Sequence, residues 1–340
     1  MRALDRKLLR DLKQLWGPGL AIIGTMRSLD ETRQAYYERY RFAHVFAGLK
    51  RAPQRLLSEI EAISGVSAAQ SRIVVDVIVD VPDMPEPARG RLISVPETGE
   101  PRLNALALMR GRWIRSDAPE EVIVNVNFAE AHGFDLGSSF SALINGRKRD
   151  LRIVGLALSP EYIYASGPGQ LVPDDRTFGI VWMGRSALEA AYDLKGAFND
   201  VSVTLTRSAN QADVIDQIDE ILKPYGGVGA FSRAVQFSNL FVENELKQLN
   251  TFGQIVPPLF LAVAAFLLNI VINRLVERER ESIGLLKAFG YRNLEVGAHF
   301  AKLVLAVSSV GVVLGLLLGL WMGHTMTELY ADFFRFTLLY

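Results

Sequence analysis

The residues best suited to hold a metal or move a proton are the four histidines, His44, His132, His299 and His324. They are scattered, with no H-E-x-x-H pair and no ligand spacing, so each reads as a packed or exposed histidine rather than a metal ligand. The chain has no cysteine, which removes thiolate nucleophiles, thiolate metal sites and disulfides together. Ser166-Gly167-Pro168-Gly169 lacks the surroundings of a nucleophile elbow. The acidic pairs Glu120-Glu121 and Asp174-Asp175 fall in loop-like contexts and read as solvated faces, not as an acid and base. No G-x-x-x-x-G-K-[ST] phosphate loop occurs, so work done by this chain draws its energy from a partner. The expectation is a protein with no catalytic, metal or cofactor site of its own.

The chemistry that remains is that of surfaces. Lys plus Arg and Asp plus Glu are equal at 37 each, so no overall field recruits nucleic acid, and charge has to be read locally. Phe252 to Leu275 is uncharged until Arg274 and long enough to cross a bilayer, which takes ~20 residues for ~30 Å of hydrocarbon. Pro257 and Pro258 are expected in the first turns of this span, where a missing N–H is tolerated, and Asn269 is its one strongly polar residue, suited to bond a neighbouring helix. A second uncharged stretch runs from Leu303 to Gly323, with Trp321 near its end. Within it Gly311, Gly315, Gly319 and Gly323 recur every fourth residue. That spacing lets another helix approach closely, although glycine is common in membrane helices in any case.

Between the spans, residues 276–302 form a polar loop in or beside which stand Arg274, Arg278, Arg280, Lys287, Arg292 and Lys302. The positive-inside rule assigns this loop to the cytoplasm. Both outer ends then face away from it, so the long segment 28–250 and the tail 324–340 are expected outside. Residues 1–15 set Leu4, Leu8, Leu9, Leu12 and Leu15 against Arg2, Arg6, Lys7, Arg10 and Lys13. This is an amphipathic helix for the cytoplasmic membrane surface or, without the downstream spans, for packing on a soluble domain. The apolar piece in 16–27 is only a dozen residues, which at ~1.5 Å each reach ~18 Å. It is read as the remnant of a missing first span, or as a different anchorage of the N-terminus.

Segment 28–250 alternates strand and helix patterns, which predicts an α+β unit. Ser28 to Tyr40 and Ala234 to Asn250 are polar helices expected to act as stalks. Strands are predicted over Phe42–Leu49, Val66–Val81, Arg91–Val95, Val122–Val126, Ser139–Ile144, Leu151–Leu158, Phe178–Met183, Val201–Leu205 and Val228–Phe231. Asn145-Gly146 marks a hairpin turn. Helices are predicted from Pro53 to Ile63, Asn127 to Gly133, Ser186 to Tyr192 and Gln211 to Leu222, with VPDMPEP as an exposed loop. The fold class is an α-helical membrane region plus an α+β extracytoplasmic domain, linked by stalk helices.

The stretch ERERESIGLLKAFGYRNLEV, Glu277 to Val296, resembles the inter-helix segment of FtsX/MacB-type ABC transporter permeases, whose pattern reads E-R-x-x-E-I-G-x-L-[KR]-A-x-G. Glu279, Arg280, Ser282-Ile283-Gly284, Leu286, Lys287-Ala288 and Gly290 carry it. Met109 to Tyr164 is similar to the periplasmic core domain of that family, through Gly111-Arg112, Glu121-Val122, Ala129, Gly137 and Val154-Gly155. The resemblance implies a coupling helix that docks on a separate ABC ATPase, with Glu279, Arg280, Ile283, Gly284, Leu286, Lys287, Phe289 and Gly290 at the interface. Ile283, Leu286 and Phe289 also read independently as one short apolar face, suited to a groove on a partner or to a headgroup layer. The implied partners are the ATPase, a second copy or permease half, a periplasmic adaptor and membrane lipid, in a bacterial inner membrane. Members of the family extract lipoproteins, expel peptides and drugs or switch cell-wall hydrolases, so the substrate does not follow. Relative to the family pattern the chain is expected to lack the first transmembrane helix and the C-terminal part. The competing reading is a membrane-tethered extracytoplasmic scaffold; a membrane-anchored hydrolase is weaker, for want of a nucleophile.

Overall fold

The computed structural model describes residue 30 and residues 32–81, 84–170 and 172–334. The amphipathic pattern in 1–15 and the short apolar piece in 16–27 lie outside the described residues. The chain divides into two compact units, one spanning Thr32–Glu243 and the other containing Asn244–Phe333.

In the first unit, α1 (residues 32–39) precedes eleven strands. Four of these form an antiparallel sheet in the order β11 (Ala230–Ser232), β1 (Val45–Pro53), β10 (Ala197–Leu205) and β2 (Val66–Arg72). Two helices, α2 (Leu56–Glu61) and α5 (Gln211–Leu222), place Leu56, Ile60, Val214, Ile218 and Leu222 in one core with Val45, Ala47, Phe198, Val201 and Val203 of the sheet. Asn210 caps α5 by accepting from the Ala212 N–H at 3.2 Å.

The other seven strands are β3 (Val74–Asp80), β4 (Ala88–Val95), β5 (Ala107–Gly111), β6 (Glu121–Asn125), β7 (Ser139–Ile144), β8 (Arg147–Leu158) and β9 (Phe178–Gly184). Their order is β5-β8-β6-β9-β4-β3-β7, and β7 pairs again with β8. The twelve-residue β8 makes this possible: its first half, Arg147–Arg152, pairs with β7 and its second half with β6 and β5. Six strands therefore close into a barrel around Val77, Val79, Leu92, Val122, Val124, Leu151, Ile153 and Val181. The β7–β8 hairpin turns at Asn145 and Gly146, both at positive φ (46° and 74°), as a two-residue primed turn requires. Two short helices, α3 (Val126–Ala131) and α4 (Arg185–Tyr192), follow β6 and β9 directly.

The second unit is helical. α6 runs unbroken from Phe237 to Arg278, α7 from Arg280 to Ala288 and α8 from Asn293 to Phe334. Two stretches are long and apolar enough to cross a membrane, one within α6 and one at Val304–Thr325. The segment 276–302, expected to hold a coupling helix, is almost wholly helical, and α8 continues as helix through Phe334 into the segment read as a tail. One sequence expectation changes here: Pro257 and Pro258 stand twenty residues inside α6 instead of in its first turn, because stalk and span form one helix. Each proline removes an N–H that would have bonded four residues back, to Gly253 and Gln254.

Candidate functional site

The predicted interface residues gather on α7 and its two ends. Glu279 interrupts the helix with φ −90° and ψ 10°, yet its N–H reaches the Leu275 carbonyl at 3.0 Å and its own carbonyl accepts from the Ile283 N–H at 2.9 Å. The hydrogen-bond ladder thus passes from α6 into α7 through a single bend. At the far end Gly290 takes φ +94°, its N–H donates to the Lys287 carbonyl at 3.0 Å, and the Tyr291 N–H donates to Leu286 at 3.2 Å. This is a Schellman stop, which explains why the K-A-x-G part of the motif ends in glycine. Glu295 then caps α8 by accepting from the Arg292 N–H at 2.9 Å.

On α7, Leu286 and Phe289 are exposed, Phe289 to 78%, and Ile283 is half-buried. With a three-residue spacing they share one side of a nine-residue helix. Phe289 is the C-cap, so it sits at the end of this face rather than within the helix. Gly284 lies mid-helix, where glycine costs ~1 kcal/mol relative to alanine, and a Cβ built there meets no atom within 4 Å. The side chains of Glu279, Arg280 and Lys287 surround this face with mixed charge. On α8 a Cβ at Gly311 or Gly315 likewise meets nothing within 4 Å, and Trp321 and Asn269 are exposed, so both helices present unfilled faces.

The first unit holds two charge clusters, each built on a buried carboxylate, that the sequence did not disclose. Arg112 forks onto both oxygens of Glu121, Nη1 to Oε2 at 2.7 Å, and the Arg115 N–H adds 3.1 Å. Glu121 is only 2% exposed, which corrects the solvated reading at that residue, while its neighbour Glu120 is exposed. The Arg112 hydrogen bond holds its carboxyl below the usual range against the opposing effect of burial. Arg112 is delivered by Gly111, which pairs with Gly155 and sits at φ +86°; a Cβ there would lie 2.3 Å from the Val154 carbonyl oxygen. The scattered motif residues Gly111-Arg112, Glu121 and Val154-Gly155 are therefore one contact.

In the second cluster, Arg72 of β2 forks onto Glu161 and also reaches Asp200 of β10 at 2.8 Å. Asn104 donates to Glu161 at 3.0 Å and to Ser202 at 3.3 Å, and Gln236 Nε2 donates to the Glu161 carbonyl at 2.8 Å. Burial raises the Asp200 carboxyl while Arg72 opposes it. Arg72 and Glu161 together thus tie the antiparallel sheet to the turn after β8 and, through the Glu161 carbonyl, to the residue preceding α6. A charged residue interrupting an apolar β pattern at Arg72 was the available signal.

His44 and His132 make hydrogen bonds to the backbone. His44 Nδ1 accepts from the Leu205 N–H at 3.2 Å, and burial beside Arg233 pushes its pKa down. His132 Nε2 meets the Arg176 carbonyl at 2.9 Å. Ser166 donates its hydroxyl proton to the Gln170 carbonyl at 2.7 Å. Among the described residues no group of three metal-ligating side chains converges.

Residues 255–340 match the FtsX-like permease C-terminal family. This FtsX-like segment covers most of α6 and all of α7 and α8, and with it the resemblance to FtsX/MacB-type permeases holds. No curated protein matches the chain. Among solved structures, the periplasmic region of MacB from Actinobacillus actinomycetemcomitans aligns at 10% identity and a TM-score of 0.36, covering 62% of this chain and 95% of that one. The extracellular domain of a noncanonic ABC-type transporter, YknZ, from Gram-positive bacteria aligns at 12% identity and a TM-score of 0.35, covering 56% and 98%.

Proposed function

We propose that the chain is the membrane subunit of an ABC-type export, extraction or mechanotransmission complex, located in a bacterial inner membrane with residues 28–250 outside. In this reading α7 is a coupling helix, docked through Ile283, Leu286 and Phe289 on a separate ATPase. The observation that carries it is the exposed apolar face of α7, set in a cationic inter-span segment inside the FtsX-like match and held by a Schellman stop. A passive scaffold has no use for such a helix. The glycine ridge from Gly311 to Gly323 would receive a second copy or permease half, since the two spans among the described residues enclose no pathway by themselves. A periplasmic adaptor and surrounding lipid complete the set of partners, and the chain itself contributes no catalysis.

The test is co-purification of the detergent-extracted chain from its source cell. Recovery of an ABC ATPase that is lost in the Ile283→Asp/Leu286→Asp variant, with membrane insertion unchanged, supports docking through α7. An ATPase retained equally by the variant removes that assignment. A correctly inserted chain that brings down no ATPase favours the scaffold.

A further inference from the structure

A cavity of about 380 Å³ opens in the first unit where β1, β11, the turn after β8 and the first residue of α6 meet. Four aromatic residues line it: Phe46, Tyr162, Phe231 and Phe237. The buried Phe46 ring stacks on Phe231, with centroids 5.8 Å and planes 23° apart, which fixes one wall. Phe237 packs on Tyr164 with centroids 5.9 Å apart, which fixes another. Phe231, Val235 and Phe237 are exposed, so the mouth of the cavity is apolar.

Glu161 and Asp200 line the same cavity, and the charge around them does not balance. Arg72 serves both carboxylates, and its Nε and Nη2 meet Asp200 at the one oxygen Oδ1, each at 2.8 Å. Arg91, the other cation on the wall, is already held by Asp76, with Nε and Nη2 on its two oxygens at 2.8 and 3.1 Å. Three carboxylates thus face two guanidiniums. Burial, with Glu161 adding to it, pushes the Asp200 carboxyl above its ordinary range, and Arg72 and Arg91 oppose this without cancelling it.

An apolar mouth that leads to aromatic rings and to a carboxylate in excess suits a cation whose own surface is apolar. Ring faces attract positive charge, and methyl groups on the nitrogen pack against them as hydrocarbon does. A bare inorganic ion would instead have to give up a strongly held hydration shell. We propose that this cavity binds an alkylated ammonium ion, with the Asp200 carboxylate as its counter-ion and Phe46, Tyr162, Phe231 and Phe237 as the surrounding rings. The volume is near the lower end of the ~300–1,000 Å³ of small-molecule sites, so the occupant is an ion of about choline's size rather than a large amphiphile. All the lining residues belong to the first unit, and the site is independent of the α7 docking face.

The test uses the full chain in dodecyl maltoside, a detergent without an ammonium group, and needs no ATPase, so its outcome is separate from that of the docking experiment. Choline and its uncharged isostere neohexyl alcohol, with carbon in place of the nitrogen, are titrated while saturation transfer from the protein is followed and protein-free micelles are subtracted. Choline is expected to bind about tenfold more tightly than the alcohol. Asp200→Asn, which removes the excess charge, is expected to bring the two within about twofold. Because Asp200 belongs to a buried cluster, a second variant acts from the exposed mouth. Val235→Lys hangs an ammonium at the entrance and is expected to weaken choline binding about fivefold relative to Val172→Lys, the same change at an exposed position outside the cavity. Equal affinity for choline and the alcohol overturns the proposal, as does equal choline binding by the two lysine variants. Displacement of choline by an equal concentration of sodium overturns it too, since an inorganic ion would then be the occupant.

Discussion

Gly111 and Gly137 provide a matched pair for testing why the first unit needs glycine where the motif places it. Their φ angles are +86° and +87°, so alanine at either position pays the same left-handed penalty, roughly 1–2 kcal/mol. Only the surroundings differ. A Cβ at Gly137 meets nothing within 4 Å, whereas at Gly111 it falls 2.3 Å from the Val154 oxygen and 2.9 Å from the Gly155 Cα. Those are backbone atoms of β8, which cannot swing aside as a side-chain tip can. Relief requires β5 and β8 to part by about 1 Å, an overpacking cost of about 1–3 kcal/mol, and weakens the 3.0 Å Arg112 N–H to Val154 bond by about 1 kcal/mol. G111A is therefore expected to lose about 2–4 kcal/mol more than G137A. For a unit of this size that is a further drop of roughly 5–15 °C in melting temperature. The full chain in detergent is melted while tryptophan fluorescence is followed, since Trp113 and Trp182 lie in or beside these strands. Equal losses in the two variants would refute the steric account, leaving backbone conformation as the whole of glycine's role.

Two further predictions concern the buried charges. Arg72→Met leaves Glu161 and Asp200 facing each other in the interior and is expected to cost about 3–5 kcal/mol at neutral pH. Burial already raises the folded Asp200 carboxyl and Arg72 is the group that opposes it, so without Arg72 the stability is present at acid pH and falls as pH rises; the variant's melting temperature, relative to wild type, should recover as pH is lowered. Glu121→Gln has the opposite sign. The Glu121 carboxyl is depressed in the folded protein, so its contribution is full above the unfolded value of about 4.3 and is lost as pH falls through the folded value. The gap between wild type and E121Q should therefore be widest at pH 6 and close below pH 4, and a constant gap would remove the ion pair as its cause.

Much of the architecture was legible because the local signals were strong. The span Ser139–Ile144, the Asn145-Gly146 turn and the helix Gln211–Leu222 agree with the periodicity, since alternation, primed-turn chemistry and an asparagine cap all act within a few residues. β5 was not visible: Ala107–Gly111 is short and its outer residues are exposed, so it is a strand only because β8 pairs with it. β1 begins at Val45 rather than Phe42 because Arg41 adopts a positive φ and Phe42 packs with Tyr37 instead of joining the sheet. The prolines of α6 were misplaced because the polar and apolar parts of one helix carry different compositions but a single backbone. Clusters such as Arg72–Glu161–Asp200 span 128 residues and have no local signature.

The two sheets of the first unit differ in when they can form. Every strand of the barrel lies between Val74 and Gly184, a continuous stretch of chain. The antiparallel sheet is different: β1, made before every barrel strand, has both its neighbours in β10 and β11, which begin at Ala197 and Ala230. During synthesis β1 waits about 150 residues for its first partner, holding Val45, Ala47 and Leu49 without a core, and such long closures are slow. The barrel can be finished while the sheet that flanks it in sequence is still open. Since β11 ends only five residues before α6, completion of the sheet coincides with delivery of that membrane-length helix, and a fault in one would be expected to expose the other.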